Sequence, residues 1–175
     1  MTTVPRSGRR LFALDHNFPV PIVDALAPMM PEAELVPISR IDPRLPGFRD
    51  DWRVLLALYH HARAWDGLVT TDSGMLSLPK ELAVLHQTKL TLVVAEAAGH
   101  DPAKATGIVL AQLSGICKQT TPEHAQVWVL RTTQKEPERA WDQLSKIAKR
   151  QGKSIDEVFK SVRLSPVELD ANPLG

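Results

Sequence analysis

Short apolar runs alternate along this chain with longer stretches in which apolar residues recur every three or four positions. That alternation is the mark of strands interleaved with amphipathic helices. The runs predict strands over 11–14, 34–38, 68–71, 90–94 and 126–130. Leu90-Thr91-Leu92-Val93-Val94 is the clearest, being rich in β-branched residues between polar turns. Between the first two strands, Pro19 and Pro21 suit a first helical turn, Ile22, Val23 and Leu26 follow at helical spacing, and Pro28 and Pro31 limit the helix.

Pro43, Pro46 and Gly47 mark a loop too punctuated for regular structure. Asp50 and Asp51 then open a helix whose apolar face is Val54, Leu55, Leu58, Ala62 and Trp65, with Gly67 as its stop. After a turn over 73–78, Pro79 begins another helix through His86. Asp101-Pro102 pairs an N-cap with proline at the first helical position, ahead of an inward stripe of Ile108, Val109, Gln112, Leu113 and Ile116. Pro137 starts a charged helix carrying Trp141, Leu144, Ile147 and Ala148, and Gly152 ends it. Ser154 and Glu157 form a capping box before Ile155, Val158, Phe159 and Val162.

The order of elements predicts an α/β fold: a central, mostly parallel five-stranded sheet with helices on both faces, followed by a C-terminal helical hairpin. The expected organisation is a flexible arm over 1–10, a main domain over 11–131, a helical extension over 132–163 and a loose tail over 164–175.

Composition narrows the class. The 175 residues suffice for a hydrophobic core without cross-links, and Cys117 is the single cysteine, so no internal disulfide forms. Apolar runs fall short of the roughly 20 residues that span a bilayer. The basic start leads straight into Leu-Phe-Ala-Leu and an acid, unlike a secretory leader. The expectation is a cytoplasmic protein with no membrane contact. The formal net charge of +1 argues against an overall basic coat, yet arginines and lysines cluster locally, and such patches bind phosphates. Arg44, Arg49 and Arg53 are the candidate nucleic-acid contacts. Solvated loops and helix faces account for each cluster equally well.

Three acids carry the candidate chemistry. Asp15 follows strand one, Asp51 or its neighbour Asp50 opens the helix before strand three, and Asp72 follows strand three. Ligands of open α/β sheets collect beyond the carboxyl ends of the strands, where these carboxylates would converge. A hard divalent cation such as magnesium relieves their repulsion and steadies the charge of a phosphodiester under attack. No histidine or cysteine set of zinc type competes. Asn17, Thr70 and Thr71 stand as supporting residues. The same residues fit simpler roles: an acid at a helix start caps it, and Asp15 and Asp72 suit turns. His16, His60 and His61 read as surface or packing residues.

The stretch Leu-Asp-His-Asn-Phe-Pro at 14–19, Asp51-Trp52-Arg53-Val54-Leu55 and Val69-Thr70-Thr71-Asp72 resembles the motifs of PIN-like domains, over about 11–130. The resemblance implies a three-layer α/β/α fold and Mg2+- or Mn2+-dependent endoribonuclease activity, with Asp15, Asp51 and Asp72 as catalytic and metal-holding residues. It further implies RNA as substrate and, for a toxin of a toxin–antitoxin pair, an antitoxin protein as partner; a homodimer is compatible with it. Many such nucleases carry a fourth acid two residues beyond the one after strand three, where this chain has Gly74. Glu96 and Asp101 are the alternates. The alternative reading is a non-catalytic PIN-like module that binds RNA or protein. A receiver-like phosphoacceptor fits poorly, because it calls for paired acids after strand one and a lysine after the last strand, where His16-Asn17 and Arg131 stand.

Overall fold

The computed structural model of the chain describes residues 8–16, 18, 20–96, 101–131 and 137–175. Its strands are β1 (Arg10–Leu14), β2 (Ala33–Pro37), β3 (Gly67–Thr70), β4 (Thr91–Val94), β5 (Gln126–Val129) and β6 (Glu138–Arg139). They form one sheet in the order β2-β1-β3-β4-β5-β6, parallel throughout except for β6. The helices are α1 (Val20–Leu26), α2 (Ile38–Ile41), α3 (Asp51–His60), α4 (Pro79–Thr88), α5 (Pro102–Gln119), α6 (Ala140–Gln151), α7 (Ile155–Val162) and α8 (Pro166–Asp170).

Alternation along each strand divides the core in two. Leu11, Ala13, Leu68, Leu92, Val94, Val127 and Val129 pack on one face against residues of α3, α4, α6 and α7. Phe12, Leu14, Val69, Val93 and Trp128 pack on the other against Val23 of α1 and Val109, Leu113 and Ile116 of α5. Strands covered on both sides need apolar residues at every position, which is why they read as continuous runs. Each fully buried Leu, Val or Phe contributes about 1.5–3 kcal/mol. Among the described residues no helix is long and apolar enough to cross a membrane.

The sheet has six strands rather than five. Strand β6 is two residues long and pairs antiparallel with β5, too short to leave a periodic signal, so Pro137 precedes a strand instead of opening the helix. The proline-rich loop holds more order than its punctuation implies: α2 and a 3-10 turn, Leu45–Gly47, which buries Leu45. Helix α3 ends at His60. Trp65 is buried from the loop beyond it while Ala62 is exposed, so the two do not extend one helical face.

The segment expected as a loose tail is docked. Leu164 is buried, and the Gln87 amide both donates to its carbonyl and accepts its N–H at 3.0 Å. Ser165 and Glu168 form a second capping box on α8, and His60 Nε2 lies 2.6 Å from the Leu169 carbonyl. The arm expected over 1–10 falls mostly outside the described residues. Arg10 itself is fixed at the amino edge of the sheet, where it pairs with Asp66 at 3.1 Å and donates to the Cys117 and Thr120 carbonyls at the end of α5. Arg9 donates to the Met30 and Ala33 carbonyls. Both serve the fold, at the opposite edge from Asp15.

Candidate functional site

Strand β1 lies between β2 and β3, so the chain leaves β1 toward one side of the sheet and later strands build on the other. Crevices form at the carboxyl edge of such a switch point. Asp15 follows β1, and its amide still extends the ladder, donating to the Val69 carbonyl at 2.9 Å. Its carboxylate is fixed from both sides. Oδ2 accepts the Thr70 hydroxyl at 2.8 Å, while Oδ1 accepts the His16 amide at 2.7 Å and lies 2.7 Å from His16 Nδ1. Thr70 is fully buried, and its Oγ1 also accepts the Asp72 amide at 3.0 Å. One hydroxyl thereby couples the acid after β1 to the chain after β3.

Asp72 caps the 3-10 turn Ser73–Ser77, its Oδ1 accepting the Gly74 amide at 2.7 Å. A Cβ at position 74 would stand 2.8 Å from that same Oδ1. Position 74 thus serves through its N–H, and any side chain there requires Asp72 to shift. Thr71 lies just beyond β3, and among the described residues its side chain makes no hydrogen bond. Asn17 lies outside the described residues.

Asp51 opens α3 and is half-buried. The N-cap residue, Asp50, is exposed and makes no side-chain cap bond. Among the described residues no donor reaches the Asp51 carboxylate. Burial is the first cause that raises its pKa, and the charges of Asp15 and then Asp72 raise it further; His16 opposes them and Asp50 adds a smaller push. Asp15 and Asp72 thus stand near enough to Asp51 for their charges to act on it.

Helix α4 also carries an acid, in its first turn. Glu81 is buried, and its pKa is raised first by burial and then by Asp51 and Asp50, with its own backbone N–H and Lys80 pulling the other way. As the third residue of a helix it looks like an ordinary first-turn acid, and its burial follows from the packing of α4 on α3, which no local pattern encodes. His16, read as a surface residue, is half of the Asp15 clasp.

The alternates are engaged elsewhere. Glu96 pairs with Arg131 at 2.6 Å, and Asp101 caps α5 by accepting from the Ala103 and Lys104 amides. Of the candidate arginines, Arg44 is paired with Asp42, whose pKa it holds down to about 2. Arg53 stacks over Phe48 at 4.9 Å, and Arg49 is exposed. Beyond Asp72, Ser73, Ser77, Arg131, Lys146 and Arg150 line part of a polar cavity of about 390 Å³.

Among the described residues no three His, Cys, Asp or Glu side chains are drawn together as a ready-made ion cage. Among the described residues the charged oxygens at the rim come from carboxylates, with His16 and Thr70 holding Asp15, and carboxylate oxygens are the ligands a hard divalent cation prefers. Comparison of the chain with protein-family models, curated proteins and solved structures returns no match.

Proposed function

We propose that this protein is a PIN-like endoribonuclease dependent on Mg2+ or Mn2+, with Asp15, Asp51 and Asp72 as its metal-holding acids. The observation that carries the reading is Asp51: a half-buried carboxylate that no donor reaches among the described residues, set against the charges of Asp15 and Asp72. Such an arrangement is costly by itself and favourable around a cation. A divalent ion held by these acids would supply a lowered pKa for water and a positive charge against a phosphodiester.

The chain's own groups prepare that site. Thr70 and His16 fix the Asp15 carboxylate, and the Gly74 amide orients Asp72. Arg150 offers a cationic group for a phosphate of an RNA strand in the cavity that Ser73 also lines, where Arg131 and Lys146 are paired with Glu96 and Glu138. The proposal includes a toxin role with a protein antitoxin; finding a gene for a small partner protein beside this one would support that part, and its absence would count against it.

A second reading, a PIN-like module that binds RNA or protein without cutting it, draws on Gly74, which puts an N–H on Asp72 where many PIN-like nucleases carry an acid. Incubating the protein with mixed RNA in Mg2+ or Mn2+, against chelator and with Asp72→Asn, separates the two. The nuclease reading expects cleavage that needs metal and disappears in the variant. Cleavage that survives both chelator and substitution overturns the assigned site. RNA retained intact, with metal bound, establishes the module instead.

A further inference from the structure

The bond between Asp15 and His16 fixes the histidine as well as the acid. A carboxylate offers only lone pairs, so the proton in the 2.7 Å contact of Asp15 Oδ1 with the ring lies on His16 Nδ1. In the neutral ring the lone pair is then on Nε2. The His16 amide donates to the same Oδ1, so one oxygen holds both the backbone and the ring of this residue. With Nδ1 turned in toward Asp15, the side chain is still 60 % exposed, and among the described residues Nε2 has no partner.

Holding Asp15 in place is an insufficient reason for this ring. The Thr70 hydroxyl and the His16 amide already engage both carboxylate oxygens. A contact made by so exposed a side chain adds little stability and costs rotamer freedom. What the ring does provide is a hydrogen-bond acceptor of fixed direction, one imidazole width from Asp15, at the carboxyl edge of the switch point. Phosphate oxygens only accept, so Nε2 calls for a different group of the ligand. In a nucleic-acid strand whose phosphate lies at the acids, the donor closest to that phosphate is the ribose 2′-hydroxyl, on the carbon next to the 3′-oxygen. DNA has no donor there.

We propose that His16 Nε2 accepts the ribose 2′-hydroxyl of the bound strand, which makes His16 a residue that selects RNA over DNA. This rests on the ribonuclease reading above, which brings a phosphate to Asp15, and adds to it the group that tells the two kinds of strand apart.

The test is the fluorescence anisotropy of a labelled single-stranded RNA, and of the DNA of the same sequence, titrated with the protein at pH 8 in Ca2+, with gels establishing that the strands stay intact. His16→Asn is the informative variant: its amide nitrogen takes the place of Nδ1 against Asp15, and nothing takes the place of Nε2. Circular dichroism establishes that it is folded. The parent is expected to bind RNA more tightly than DNA, and His16→Asn to lower that preference by about 2–12-fold, the worth of one hydrogen bond, through weaker RNA binding with DNA binding unchanged. A variant with the parent's preference overturns the ribose contact, whether both strands weaken equally or neither does. So does a parent that holds RNA and DNA alike, or holds neither. The ribonuclease reading is judged separately, by metal-dependent RNA cleavage and its loss in Asp72→Asn.

Discussion

The Thr70 hydroxyl donates to Asp15 Oδ2 at 2.8 Å, and its oxygen in turn accepts the Asp72 amide at 3.0 Å. Thr70→Val keeps the shape and the β-branched strand preference while removing both bonds. It leaves a carboxylate oxygen and an N–H without their partner, at about 1–3 kcal/mol. A thermal melt should show a loss of about 2–4 °C for each kcal/mol at this size. RNA cleavage should fall about 10–100-fold, as for other groups that orient a metal ligand, with Thr70→Ser close to the parent in both measurements.

Asp51 offers a prediction with the opposite sign. Its folded pKa lies above the ordinary 3.8, so the ionised form is disfavoured by folding. Below 3.8 the acid is protonated in both states and the effect vanishes; as pH rises through the folded value, stability is lost. Asp51→Asn should therefore raise the melting temperature of the metal-free protein at pH 7 and leave it unchanged near pH 3. Mn2+ should raise the melting temperature of the parent and do so much less for the variant. A parent that melts above the variant in chelator would contradict the raised pKa.

Much of this architecture was legible because buried parallel strands leave continuous apolar runs, and because caps such as Asp101 and Ser154 announce their helices locally. Asp15 and Asp72 could be placed at strand ends for the same reason. Elements defined by partners distant in sequence were not legible. Strand β6 exists only through its pairing with β5, Leu164 is anchored by Gln87, and Glu81 is buried by packing between α3 and α4. The clasp of His16 on Asp15 was hidden for another reason: an exposed histidine in a turn has no pattern that separates it from any other.

Gly67 shows how a local signal can be correct about the residue and wrong about its role. Read as a helix stop, it is instead the first residue of β3, where a Cβ would lie 1.9 Å from the Thr91 carbonyl oxygen. That oxygen belongs to the neighbouring strand's backbone and cannot move aside without opening the β3–β4 pairing. Gly67→Ala should cost more than the 0.5–3 kcal/mol typical of point substitutions and be recovered largely insoluble or with a sharply lowered denaturation midpoint. A variant that unfolds at the parent's urea midpoint would show that the strands separate readily at this edge.

The C-terminal hairpin meets the core at His86, whose ring lies 4.9 Å from Trp141 and 5.5 Å from Phe159, centre to centre. Burial, with a smaller contribution from Lys89, holds the His86 pKa below 6.5. A histidine kept neutral by the fold contributes stability that is complete above its unfolded pKa and is lost as pH falls through 6.5 toward the folded value. Helices α6 and α7 should consequently exchange their amides faster at pH 5.5 than at pH 7.5, after correction for the intrinsic pH dependence of exchange. His86→Phe retains an aromatic ring between Trp141 and Phe159 and has no proton to gain, so it should lose most of that difference. Unchanged acid sensitivity in the variant would assign the effect to the carboxylates of the hairpin rather than to His86.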